Sequence, residues 1–301
     1  MTGVERDTRG GSVVTRDAGD SALDAQFAGL DALERGPSAR QKWLIRGWST
    51  AWPKVAAIAI VLAVWQVVVW TGWRDPWVLP GPGTALATLK DFLTEGTFWK
   101  AIGITMSRAV IGFAIAIVLG TILGALVAQI RPLRAAIGSL LAGLLTMPSI
   151  AWLPLAILLF KLSESAILFV IVIGAAPSIA GGLVNGIDYI QPILLRAGRV
   201  LGLRGWPLYR SVILPASLPS YVSGLKQGWA FAWRGLMAGE LMVIIANRPS
   251  IGVTLNQQQE YNDAAGMLAM MIVILIIGIV VDSAFGRVDR TIQRRWGVAK
   301  S

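Results

Sequence analysis

Long apolar stretches separated by shorter polar ones run through most of the chain. A helix rising 1.5 Å per residue needs about 20 mostly apolar residues to cross a hydrocarbon core of about 30 Å. Six segments answer to that description, at roughly 55–72, 104–129, 135–160, 165–186, 218–246 and 264–285. Val55–Gly72 and Ala109–Ala128 carry no charged residue at all. The third segment holds Pro148 and Pro154. Proline removes a backbone donor and clashes with the preceding turn, so a bend is expected there, facing protein rather than lipid. Pro177 predicts a milder kink in the fourth segment. The pattern predicts an all-α membrane protein of about six transmembrane helices.

The first 54 residues break this pattern. They hold Arg6, Arg9, Arg16, Arg35, Arg40, Lys42, Arg46 and Lys54 among acids, Gly and Ser. Such a composition buries no core, so residues 1–38 are expected to form a disordered cytosolic tail and 39–54 a basic juxtamembrane segment. Residues 55–296 form the transmembrane domain. The first long apolar run begins only at Val55, too late for a signal peptide. Lys and Arg collect on alternate connections: Arg131 and Arg134, then Arg196, Arg199, Arg204 and Arg210, then Arg287, Arg290, Arg294, Arg295 and Lys300. With the positive-inside rule this predicts a multi-pass membrane protein with both termini cytosolic.

Composition narrows the function. Of 301 residues, 55% are apolar and only 15% charged, yet the net charge is +10. Soluble domains have roughly a quarter of their residues charged. A chain this apolar and basic therefore belongs in a lipid bilayer, and no nucleic-acid partner is expected. There is no Cys and no His, which removes thiolate and imidazole chemistry and their metal sites. No G-x-x-x-x-G-K-[ST] run occurs, so no P-loop is present. No catalytic residue, metal or bound cofactor is expected.

The connection after the fourth segment, 188–217, is long and punctuated by Pro192, Gly202, Gly205, Pro207 and Pro215. It predicts short helices with sharp turns, suited to docking a partner. Its text is Arg196-Ala197-Gly198-Arg199-Val200-Leu201-Gly202-Leu203, then Val212-Ile213-Leu214-Pro215, with nine residues between Gly202 and Val212. This resembles the EAA motif of bacterial ABC importer permeases. Ala197, Gly202, Leu214 and Pro215 match at the right spacing, Arg196 stands for the motif's Glu, and Gly198 for its second Ala. Ala151-Trp152-Leu153-Pro154 and Ala232-Trp233-Arg234-Gly235 look like the nitrate, sulfonate, taurine and bicarbonate branch of that superfamily.

The resemblance implies a type I importer permease with a cytosolic coupling helix. It further implies a homodimer, two cytosolic ATPase subunits that bind the ATP and Mg²⁺, and an extracytoplasmic substrate-binding protein or lipoprotein. The cargo it implies is a small anion, with aliphatic sulfonate or taurine first and nitrate or a related oxyanion next. An uncharged heterocycle such as a pyrimidine precursor is the alternative within the family. Outside it, a stand-alone secondary transporter or channel would require internal repeats around a midplane site, and an intramembrane enzyme a catalytic pair of acids; neither pattern is evident.

Ionisable and aromatic residues within spans are candidates for a substrate pathway. Arg108, Arg234 and Glu240 qualify, with Trp152, Trp229 and Trp233 beside them. Lys226, Trp229, Trp233 and Glu240 fall on one helical stripe, and Arg234 lies about 100° round from Trp233. A guanidinium fork suits sulfonate, nitrate or carboxylate oxygens. The alternatives are pairing with neighbouring helices for Arg234 and Glu240, reach to the headgroups for Arg108 and packing for the tryptophans.

Overall fold

The computed structural model describes residues 39–295. The expected tail at 1–38 and the last residues, 296–301, lie outside them. Ten helices carry the fold: α1 Ala39–Trp70, α2 Pro82–Thr94, α3 Gly96–Gln129, α4 Arg131–Thr146, α5 Leu153–Phe160, α6 Glu164–Asp188, α7 Pro192–Val200, α8 Leu214–Met242, α9 Ile251–Glu260 and α10 Ala264–Arg295. A 3₁₀ turn, Ser149–Trp152, precedes α5. A turn at Trp206–Leu208 and a π-helical stretch, Tyr209–Ile213, lead into α8. No strand occurs among the described residues. The chain divides into two units between Trp65 and Gln66, and every helix from α2 onward belongs to the second.

Among the described residues, four helices are long and apolar enough to cross a membrane: Trp52–Trp70, α3, α6 and Ala264–Gln293. The third expected span is broken. Its halves meet at 106° after Thr146, and they count as a fifth crossing only if taken as one. Pro148 lies between α4 and the 3₁₀ turn and Pro154 in the first turn of α5, where its missing N–H costs nothing. Pro177, by contrast, sits inside α6 without ending it. The fifth expected span, α8, has 29 residues but is not among these four.

Two helices were not expected. Both α2 and α9 lie in stretches the apolar pattern leaves as connections. Each carries a local start signal: Pro82 in the first turn of α2, and Ser250 capping α9 by accepting the Val253 N–H at 3.4 Å.

The second unit is built around α6, which packs against α3 on one side and α8 on the other. Small residues permit this. A Cβ on Gly120 would lie 2.7 Å from the Ala176 carbonyl oxygen, and one on Gly182 would lie 2.7 Å from Gly224 Cα. Tyr221 on α8 and Thr121 on α3 share a 2.7 Å hydrogen bond between hydroxyls. Buried Phe113 and Trp229 meet edge to face at 5.2 Å, with Phe285 of α10 completing the cluster. Apolar surface gains nothing by moving from lipid to protein, so close van der Waals contact carries the association.

A branched side chain at the α6–α8 crossing must push the helices apart. Gly224→Val is expected to lower stability by about 2 kcal/mol or more, read as a lower melting temperature in detergent. Gly138→Ala, where nothing lies within 4 Å of the added carbon, serves as the neutral control.

Candidate functional site: a buried ion cluster and a docking turn

The end of the bundle where α6 begins and α8 ends holds a cluster of charges. Thr105 and Arg108 are three residues apart on α3 and so face the same way. Arg108, 4% exposed, engages two carboxylates. Its Nε and Nη2 donate to Glu164 Oε2 and Oε1, each at 2.7 Å, and its Nη1 donates to Glu240 Oε1 at 2.9 Å. Glu240 is fully buried. It also accepts from the Thr105 hydroxyl at 2.9 Å and from the Gly252 N–H at 3.1 Å. Thr105 Oγ1 in turn accepts the Ile251 N–H at 3.0 Å. Thus a carboxylate of α8 and a hydroxyl of α3 together satisfy the unpaired donors that open α9, where a negative charge is favoured. The approach leaves no room for a side chain: a Cβ on Gly252 would lie 2.5 Å from Glu240 Cβ. Arg248 reaches Glu164 Oε1 at 3.6 Å from the exposed side.

Two site candidates, Arg108 and Glu240, are therefore brought together, and each is engaged by protein groups. Glu164 and Thr105 complete the cluster and escaped notice in the sequence. Glu164 lies in the short connection between the third and fourth apolar segments, beside Lys161. Only its position in the first turn of α6 hinted at more.

At the opposite end, α7 carries the EAA-like residues. Arg196, Ala197 and Arg199 are exposed and Gly198 is buried. The helix closes with two linked bonds: Gly202 N–H to the Arg199 carbonyl and Leu203 N–H to the Gly198 carbonyl, both at 3.0 Å. That pairing is a Schellman turn, and it requires the left-handed backbone that Gly202 adopts at φ 81°. Gly198 packs where a Cβ would meet Leu208 at 2.7 Å and Val212 at 3.1 Å. Leu203 is half-buried beside it, while Leu214 and Pro215 begin α8. Arg134 of α4 pairs with Asp188 at the end of α6, just ahead of this segment. The rest of α7 offers apolar surface outward, with Ile193 68%, Val200 87% and Leu201 79% exposed.

Residues 116–294 match the family described as the binding-protein-dependent transport system inner membrane component. The chain is an ABC importer permease of that family. It is a multi-pass inner membrane protein of the nitrate, sulfonate and bicarbonate branch. The permease is 30% identical over 259 residues to the putative aliphatic sulfonates transport permease SsuC of Escherichia coli, covering 86% of this chain and 95% of that one. It is 28% identical over 236 residues to the Bacillus subtilis protein of the same description, with 78% and 84% covered. Identity to the bicarbonate transport permease CmpB of Synechococcus elongatus is 28% over 270 residues, with 86% and 95% covered. A chain of the inward-facing MetNI methionine ABC transporter superposes with a TM-score of 0.57 at 20% identity, over 66% of the permease and 99% of that chain. At that identity the likeness concerns the fold.

The remaining candidates of the permease lie along α8 and at the bend. Trp229 is buried against Phe113 and stacks on Trp233 at 6.4 Å. Trp152, half-buried in the 3₁₀ turn, packs on the same core. Lys226 pairs with Asp282 of α10 at 3.7 Å. Arg234 differs from Arg108: it is exposed, its guanidinium lies 5.9 Å over the Phe231 ring, and no carboxylate among the described residues pairs with it. Two cavities meet at Arg234. One, of about 630 Å³, opens between α8 and α10 beside Trp229 and Trp233. The other, of about 420 Å³, runs past Ser149 and Phe231.

Removing the guanidinium of Arg108 strands a fully buried carboxylate. Arg108→Met is expected to cost about 3–5 kcal/mol, seen as loss of the monodisperse protein in detergent. The triple change Arg108→Met, Glu164→Gln, Glu240→Gln, which removes the charges together, is expected to recover part of that loss.

Proposed function

We propose that this permease imports a small anion, with aliphatic sulfonate or taurine first and nitrate or a related oxyanion next. It works as a homodimer with two cytosolic ATPase subunits, which bind the ATP and Mg²⁺, and takes its cargo from an extracytoplasmic binding protein. Both termini and α7 lie on the cytosolic side. The permease has no ATPase site of its own.

The observation that carries this reading is α7 itself. A short helix with its inner face packed, its end fixed by a Schellman turn and an outer face that exposes Ile193 and Val200 beside Arg196 and Arg199 is a folded knob awaiting a socket. Isolated helices of this length are not stable in water, so contacts with the bundle and the partner must hold it. Closure of the ATPases would draw the two α7 helices of the dimer together and switch the bundle between outward and inward openings. Arg234 supports an anionic cargo, since an unpaired guanidinium in a span is costly unless something anionic visits it. The names of the related sulfonate and bicarbonate permeases point the same way.

Gly202→Val puts a β-branched residue at a left-handed position, a strain of about 1–3 kcal/mol on the docking turn. Uptake into proteoliposomes holding the full complex is expected to fall about tenfold or more while ATP hydrolysis persists; unchanged uptake would reject the docking role. Arg234→Ala is expected to reduce anion uptake with normal assembly, and wild-type uptake in that variant would remove Arg234 from the pathway.

A further inference from the structure

Two of the long apolar helices present large apolar side chains outward: Val110, Ile111 and Val118 on α3, Leu275, Ile279 and Val280 on α10. On α8 the rule inverts. Between its end residues Leu214 and Met242, the exposed positions are Ser223, Gln227 and Arg234, every one polar. With Ser220 they fall within an arc of about 60° at 100° per residue, and Ser220 to Arg234 spans about 21 Å. A face of this kind does not sit in hydrocarbon, where each unmet polar group is costly.

The lower part of this face borders a cavity of about 370 Å³ where α4, α6 and α8 cross. Its polar lining is Ser178 and Asn185 of α6, Ser220, Ser223 and Gln227 of α8, and Gln293 of α10. None of the lining residues is charged. Ser178 is bonded to the Gly224 carbonyl at 3.3 Å. Gln293 donates to Asp289 Oδ1 at 2.9 Å, and Ser223 reaches the same oxygen at 3.5 Å. The side chains of Asn185, Ser220 and Gln227 make no hydrogen bond among the described residues, so their donors and acceptors are free for what enters.

We propose that this face of α8, with Asn185 of α6 opposite, walls the aqueous route that the anion takes between Arg234 and the α7 end of the bundle. The assignment rests on the anion-importer reading and adds the residues that carry the cargo through. Neutral hydroxyl and amide donors replace part of an anion's hydration shell without trapping it, as a lysine or arginine would. Binding in a conduction path has to be favourable enough to enter and weak enough to leave. Arg234 then supplies the one strong electrostatic contact on this face, and the cavity beyond it supplies release.

The chain contains no Cys, so single cysteines report without background. Thiols react with a methanethiosulfonate as thiolates, which form only in contact with water. Ser223→Cys and Gln227→Cys are compared with Leu275→Cys and Val280→Cys, in the complex with its ATPase subunits, in open membrane sheets. The probe is a sulfonate-bearing methanethiosulfonate. The two α8 positions are expected to react about tenfold or more faster than the α10 positions, and Gln227→Leu to lower anion uptake with ATP hydrolysis retained. If the α8 positions react no faster than Leu275→Cys while the unsubstituted complex imports an anion, the route is wrong and the importer reading stands. If they react fast but the unsubstituted complex drives no anion uptake, the water-filled face stands and the proposed cargo falls.

Discussion

Helices in lipid have no hydrophobic reason to associate, and what joins them here is the approach of one backbone to another. α6 lies between α3 and α8 at distances that Gly120 and Gly124 allow on one side and Gly182 and Gly224 on the other. Such contacts fix rotation as well as distance, because turning any of the three helices by one residue would bring a larger side chain into the seam. Everything polar in the bundle depends on that fixed rotation. It brings position 108 of α3, position 164 of α6 and position 240 of α8 to one point, and it leaves 223, 227 and 234 of α8 on the side away from the seam.

The two span arginines illustrate how placement divides one chemistry into two uses. Arg108 has three nitrogens engaged by two carboxylates, and the fully buried Glu240 extends the same network to the backbone donors of α9. Its charge is neutralised within the fold. Arg234 shares its residue type but faces outward and has only an aromatic ring beneath it. The exposed positive charge on this face of α8 is therefore that of Arg234, with Lys226 paired to Asp282.

Much of this was legible in the sequence because it depends on local pattern. The apolar runs located the long helices, Pro148 marked the break ahead of the 3₁₀ turn, and the prolines and glycines between Pro192 and Pro215 marked the short helix α7 and its glycine turn. What the pattern could not convey were contacts between residues far apart in the chain. Glu164 and Thr105 are ordinary in their own neighbourhoods and acquire a role only because α3, α6 and α8 converge. Helices α2 and α9, at 13 and 10 residues, are too short to show as spans, so their first-turn residues were the available signal. Asp282 gave no hint of its partner, since Arg287 lies nearer in sequence than Lys226 does. The polar face of α8 was half visible: Arg234 stood out by its charge, while Ser220, Ser223 and Gln227 look unremarkable until set beside the exposed apolar runs of α3 and α10.

The π-helical stretch at Tyr209–Ile213 joins Trp206–Leu208 to α8 without a break in helical backbone. From Trp206 to Met242 the chain is one stiff rod, about 55 Å long at 1.5 Å per residue, with Gly198 of α7 packed against its first turns at Leu208 and Val212. A rod transmits angle rather than stretch. A sideways push on α7 cannot be absorbed in a slack loop; it must emerge as tilt or roll along the rod's length. The residues that such a roll carries with it are Ser220, Gln227 and Arg234. The wider π turn, where one extra residue is accommodated per turn, is the place along that rod where roll is set.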